Sequence, residues 1–260
     1  MRVSMSIMLL ACTVLLTPLL SAADLTKIGR SIRKEPAYQS KPRYCLLVFG
    51  SDAATRVWLV LDGNRLYVDR NGNGDLTEPG EVITAKDGGY EGDAHLFSAG
   101  EIPEGKLRHK NLTVRIVKLD RLAGYDEQAK EILAKNPHGS GYAAVEIEIE
   151  MPGHKDASFM AGQDVTGVLQ FADRASDAPI IHFGGPWQLS LFGRQRLTAG
   201  READLILGLG TPGVGAGTTS YVAYEGVVPE NVRPTAEITY PPRREGETPL
   251  RELYELKQRC

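Results

Sequence analysis

Residues 56–85 read RVWLVLDGNRLYVDRNGNGDLTEPGEVITA, and the punctuation of this run decides the fold. RVWLVLDG and RLYVDR are short runs rich in β-branched and aromatic residues, separated by the turn formers Asp62, Gly63 and Asn64, which is the pattern of a β-hairpin. The second run alternates like a strand and leads directly into Asp69. Beyond the polar loop, Glu81 to Ala85 resumes strand chemistry, while Pro79 and Gly80 bar an immediate helix. The stretch is therefore predicted as strand, turn, strand, long loop, strand. A helix–loop–helix unit is excluded.

Within the loop, DRNGNGDLTEPGE (69–81), oxygen-bearing side chains stand at every second position: Asp69, Asn71, Asn73 and Asp75. Gly72 and Gly74 let the backbone curl so that these oxygens converge. A hard cation such as Ca²⁺ takes about six to eight oxygens at roughly 2.3–2.6 Å. The pattern resembles the EF-hand calcium loop, with Asp69 in first place, Asn71 and Asn73 in third and fifth, and Gly74 at the sharp turn. Asp75 stands where that loop gives a main-chain carbonyl, and Leu76 where it has an apolar anchor. It departs at the twelfth place, where a bidentate Glu is expected and Gly80 stands; Glu78 and Glu81 are the nearest carboxylates. The resemblance implies one structural Ca²⁺ site with ligands from Asp69, Asn71, Asn73, Asp75, Glu78 and Glu81, binding in roughly the 10⁻⁴–10⁻³ M range of extracellular modules. The same Asn-Gly and Gly-Asp pairs also build tight turns that hold no metal. A plain hairpin needs only two such residues, whereas this loop alternates four oxygen-bearing side chains.

Toward the N-terminus, residues 1–23 read as a secretory signal: Arg2, an apolar run from Ile7 to Leu20, and the small residues Ser21, Ala22 and Ala23. The run is broken by Pro18 and is shorter than the about 20 residues a membrane span needs. Leu9-Leu10-Ala11-Cys12 resembles a lipobox, which offers lipidation of Cys12 as a minor alternative. Residues 24–43 are polar and basic, with Lys27, Arg30, Arg33 and Lys34, and read as a solvated leader. Cys45 and Cys260 remain once the signal is removed. They are a candidate disulfide in an oxidising compartment, while YCLLVFG equally suits Cys45 as a small buried apolar residue.

Downstream, HLFSAGEI, NLTVRIVKL and YAAVEIEIEM continue the strand pattern. The last places Val145, Ile147 and Ile149 on one face and Glu146, Glu148 and Glu150 on the other, a wet strand face and not a catalytic pair. Asp126 to Lys135 is the single helical segment. A boundary is expected after residue 152, followed by short strands ending in LRELYELKQRC, read as a final strand. The expectation is a mainly β chain: a β-rich domain over 44–152 with one short helix, then an immunoglobulin-like β-sandwich over 153–260.

The chemistry classes are narrowed by what is missing. A net charge of -3 and pI near 6.0, with scattered Lys and Arg, give no nucleic-acid footprint. No G-x-S-x-G, H-E-x-x-H or G-x-x-x-x-G-K-[ST] occurs. Gly208 to Gly213 matches G-x-G-x-x-G but runs on into further glycines and a strand, where a dinucleotide site needs a helix. The five histidines are dispersed, and His182, among apolar neighbours, reads as a hydrogen-bonded strand residue. PRYCLLVFG, VWLVLDGNRLYVDRNGNGDLTEPGE and LGLGTPGVGAGTTSYVAYEGVVPENVRPTAEITYP together resemble a family of uncharacterised secreted bacterial proteins; the resemblance implies secretion and a β layout and brings no activity. The expected function is a secreted, non-enzymatic binding or structural protein of the cell envelope or extracellular space. The alternative is a hydrolase of envelope or extracellular polymers, with carboxylates assembled by the fold.

Overall fold

The computed structural model describes residues 23–88, 94–125, 142–152, 158–164, 171–185, 188–193, 205–209, 220–225, 230–242 and 244–256, with isolated positions between them. Residues 1–22 of the signal, Cys12, Cys260 and most of the Gly208–Gly213 motif lie outside these. The strands in chain order are β1 (Arg43–Phe49), β2 (Thr55–Asp62), β3 (Arg65–Val68), β4 (Val82–Thr84), β5 (Lys86–Gly88), β6 (Ala94–Glu104), β7 (Leu107–Lys118) and β8 (Tyr142–Glu150). They continue as β9 (Ser158–Asp164), β10 (Ile180–Gly185), β11 (Gln188–Phe192), β12 (Leu205–Leu209), β13 (Ser220–Glu225), β14 (Thr235–Tyr240) and β15 (Leu250–Glu255). Of the expected helix at 126–135, the described positions Glu127, Lys130, Glu131 and Ala134 are helical, and a short turn, α1 (Leu119–Leu122), precedes it.

The chain is mainly β, in two sheets. One has eight strands in the order β15-β14-β11-β10-β1-β2-β3-β4, the other seven in the order β12-β13-β9-β8-β7-β6-β5. The chain passes from the first to the second at Ala85, between β4 and β5, where the Ala85 amide donates to the Asn64 carbonyl at 2.8 Å. Position 152/153 falls between β8 and β9, which are paired neighbours, and β1 pairs with β10. Both sheets thus draw strands from each side of that position. The pairs β1/β10, β11/β14 and β12/β13 are parallel, whereas an immunoglobulin sandwich is built of antiparallel sheets.

Alternation along the strands sorts side chains into two cores. Cys45, Leu47 and Phe49 of β1, with Val57 and Leu59 of β2, face Phe97 of β6, Val114 and Ile116 of β7 and Ile147 of β8, which forms the layer between the sheets. Val145, Ile147 and Ile149 are buried as the alternation of β8 requires, and the glutamates between them take the opposite face. Cys45 is a fully buried free thiol, its pKa pushed up by burial.

The intervening residues of the eight-stranded sheet, Tyr44, Leu46, Val48, Trp58, Val60 and Tyr67, are also buried, in a second core with Leu25, Leu76 and Phe192. This corrects the reading of 24–43 as a solvated leader. The segment is an arm that covers the outer face of the sheet, with Leu25 buried and Ile28, Ile32 and Tyr38 packed on the core. Burial of one such side chain contributes about 1.5–3 kcal/mol, against about 0–1 kcal/mol for an exposed ion pair. Apolar contact therefore holds the arm more than its charges do. Its far end is pinned by Asp62, whose carboxylate accepts from the amides of Gln39 at 2.8 Å and Ser40 at 2.6 Å and from the Ser40 hydroxyl at 2.7 Å. Burial opposes ionisation of Asp62, but these donors outweigh it and lower its pKa.

Candidate metal centre

The loop 69–81 joins β3 to β4, which pair through Arg65↔Thr84, Leu66↔Ile83 and Tyr67↔Val82. One further bond, from the Val68 amide to the Glu81 carbonyl at 2.8 Å, continues that ladder and sets Glu81 across from the start of the loop. At the other side, the Asp69 amide donates to the Trp58 carbonyl at 3.0 Å. Both ends are thus fixed to the sheet.

Asp69 and Glu81 are buried, at 1% and 4% exposure. Asp69 Oδ2 accepts from the Gly74 amide at 3.0 Å. Asp69 Oδ1 and Glu81 Oε2, however, are shut off from solvent and have no hydrogen-bond partner among the described residues. Burial, the Asp69 charge and the Glu78 charge push the Glu81 carboxyl up to about 7. Burial likewise raises Asp69, with the amides of Gly74, Asn73 and Gly72 opposing and Glu78 adding to the rise. Buried carboxylate oxygens are costly without a donor or a cation, and here carboxylates raise one another's pKa.

Asn71 and Asn73 orient the intervening chain. Oδ1 of Asn71 accepts from the Asn73 amide at 3.0 Å, and Oδ1 of Asn73 from the Asp75 amide at 2.7 Å. Each carbonyl oxygen keeps a second lone pair. Their amide nitrogens donate to the two Glu78 oxygens at 2.6 and 3.0 Å, which draws Glu78 over the loop. The Asp75 carboxylate is turned elsewhere: Oδ1 accepts from the Thr77 amide and hydroxyl at 3.0 and 2.6 Å, and Oδ2 faces Arg33 and Lys34 at 3.8 and 3.5 Å. The Thr77 bonds, helped by Lys34, lower its pKa. Asp75 thus has its main chain to offer a cation, the role its place in the loop implies. Leu76 is buried in the second core.

One feature was left open by the sequence and a second was not read from it. The first is the closing residue, for which Glu78 and Glu81 both stood as candidates. Gly80, with φ +87°, turns the chain so that Glu81, one position beyond the expected twelfth place, is the buried carboxylate. The second is Arg70, whose Nε donates to the Ala99 carbonyl at 2.9 Å and whose Nη1 donates to the Gly80 carbonyl. It ties the loop to β6 of the other sheet. The arm docks on the same loop: the amides of Arg33 and Lys34 donate to the Gly74 carbonyl at 2.9 and 3.0 Å, and the Leu76 amide to the Lys34 carbonyl at 3.0 Å.

Among the described residues no three His, Cys, Asp or Glu side chains form a group that could hold a metal ion. The loop's other oxygens belong to side-chain amides and main-chain carbonyls, donor types that hard cations also take. Two histidines make buried contacts elsewhere in the fold. His182 Nε2–H donates to the Gly50 carbonyl at 2.7 Å, and His109 Nε2–H to Glu104 at 2.6 Å while its ring lies 4.5 Å from that of Phe49.

Fold and loop together define a mainly β protein with an oxygen-rich loop set between two paired strands. No family model, no curated protein and no solved structure matches the chain.

Proposed function

We propose that residues 69–81 bind one Ca²⁺ as a structural clamp in a secreted, non-enzymatic binding or structural protein of the cell envelope or extracellular space. The observation that carries this is the pair of buried, unpartnered oxygens, Asp69 Oδ1 and Glu81 Oε2, in a loop whose Asn71 and Asn73 oxygens have lone pairs to spare. A divalent cation converts mutual repulsion there into shared attraction. The remaining donors are the Asp75 carbonyl and Glu78. Because the loop also receives the arm and, through Arg70, touches the second sheet, a cation bound there stabilises three parts of the fold at once. Export is supported by the signal-like residues 1–23, and no helix among the described residues is long and apolar enough to cross a membrane.

Thermal melting with Ca²⁺ against chelator tests the proposal. With Kd near 10⁻⁴–10⁻³ M, a free Ca²⁺ concentration of about 10 mM stabilises by roughly 1–3 kcal/mol, or about 3–10 °C in Tm for a chain of this size. Asp69→Ala abolishes the shift. An unchanged Tm in the wild-type protein on adding Ca²⁺ sinks the reading.

A further inference from the structure

Arg30 lies on the arm where it crosses the outer face of the eight-stranded sheet. Its guanidinium stacks on the Phe192 ring of β11, with the central carbon 4.4 Å from the ring centroid. Nη1 donates to the Ser176 carbonyl at 3.3 Å. Nε and Nη2 are closed to solvent and have no partner among the described residues. These two N–H groups make up one edge of the planar fork, the edge that takes both oxygens of a carboxylate. Arg30 also lines a cavity of about 290 Å³, whose walls include Ser176, Asp177, Ala178, Phe192 and Pro241.

We infer that this cavity binds a small ligand bearing a single carboxylate, held fork to fork by the Nε and Nη2 edge of Arg30 and resting on the apolar wall of Ala178, Phe192 and Pro241. The volume sits at the lower end for ligand sites, roughly 300–1,000 Å³, and suits one sugar ring or a dipeptide. The charge balance selects a monoanion. Asp177 is on the wall, but its Oδ2 accepts from Arg174 Nε at 2.7 Å and its Oδ1 from the Ser176 hydroxyl at 3.2 Å. It makes no hydrogen bond to Arg30, and its charge disfavours a dianion such as a phosphate monoester. Arg30 is half-buried and its pKa is lowered by burial, with Asp177 opposing, so an incoming carboxylate relieves a cation short of donors' partners. Because Nε and Nη2 are closed to solvent, binding requires the guanidinium to turn toward the cavity. The site lies apart from the 69–81 loop and stands independently of calcium.

Such a carboxylate comes from a uronic sugar or from a peptide C-terminus, and calorimetric titration separates the two. Glucuronate is compared with glucose, and acetyl-dialanine with its C-terminal amide, on the wild-type protein and on Arg30→Lys. Saturable binding of either acid, or both, with no binding of its neutral counterpart is the expected result, and the acid that binds identifies the source. Arg30→Lys keeps the charge but loses the fork, and weakens that binding roughly ten- to hundredfold. The inference is overturned if neither acid binds up to tens of millimolar, if a neutral counterpart binds equally well, or if Arg30→Lys binds as the wild type does. The acid-against-neutral comparison needs no variant and stands even if Arg30→Lys fails to fold.

Discussion

Glu81→Gln separates two accounts of the buried carboxylates at positions 69 and 81. If they serve a cation, the substitution removes a ligand and a repulsive charge together. The cation-free protein at pH 8 is then expected to gain about 1–2 kcal/mol in urea denaturation, because a buried oxygen no longer carries an unpaired charge, while Ca²⁺ no longer raises its Tm. A full Ca²⁺ response in Glu81→Gln excludes Glu81 from the shell. Asp75→Ala makes the complementary test. The Asp75 carboxylate is already engaged by Thr77, Arg33 and Lys34, so this variant is expected to keep most of the Ca²⁺ shift, and loss of the shift places the carboxylate itself on the ion. The alternation of Asp69, Asn71, Asn73 and Asp75 was readable because a loop that gathers oxygens leaves a period of two in the sequence. The closing position was narrowed only to Glu78 or Glu81. Counting along the EF-hand pattern ends at Gly80, and it takes the positive φ of that glycine together with the Val68–Glu81 bond to show that Glu81 is the one carried inside.

At the scale of elements, the loop and the arm fold as one joint, and its glycines test that. Gly72 has φ +68°, and a Cβ there would lie 2.9 Å from the main-chain oxygen of Arg56. Gly80 has φ +87°, but its nearest neighbour would be the flexible end of Arg70 at 4.0 Å. Gly72→Ala is therefore expected to cost roughly 2–4 kcal/mol, left-handed strain plus overpacking against backbone, and Gly80→Ala about 1–2 kcal/mol from strain alone. Equal costs in chemical denaturation contradict the close packing of the loop on β2. The arm itself was misread for a physical reason. Lys27, Arg30, Arg33 and Lys34 dominate its composition, yet Leu25, Ile28 and Ile32 stand between them and are what packs. A signal for it was present elsewhere: Tyr44 to Phe49 has no polar position at either parity, so both faces of β1 require a cover. The inter-sheet layer covers one face and the arm the other.

At the scale of the whole molecule, many strands were legible and strand partnership was not. Period-two patterning marks β7 and β8 and a continuous apolar run marks β1, whereas β5 and β9 were not read; and a parallel pair such as β1/β10 joins segments more than a hundred residues apart, which no local turn announces. The joint between those strands is where the buried histidines sit, and it yields a pH dependence. His182 of β10 donates to Gly50 at the end of β1, and His109 of β7 packs on Phe49. Burial lowers the pKa of both, opposed at His182 by the Gly50 carbonyl and the charges of Glu104, Asp52 and Glu237, and at His109 by Glu104. A histidine whose folded pKa lies below the unfolded value of about 6.5 is protonated first in the unfolded chain. Its contribution is therefore complete above that pH and is lost as pH falls through it. Glu81, raised to about 7, runs the opposite way, because its protonated form is favoured in the fold. Taking the difference in unfolding free energy between wild type and His182→Gln at each pH cancels Glu81 and the other shared groups. That difference is expected to shrink steadily from pH 7.5 to 5, since the variant has no imidazole to be held neutral. A constant difference over that range shows that His182 is protonated as readily in the fold as in the unfolded chain.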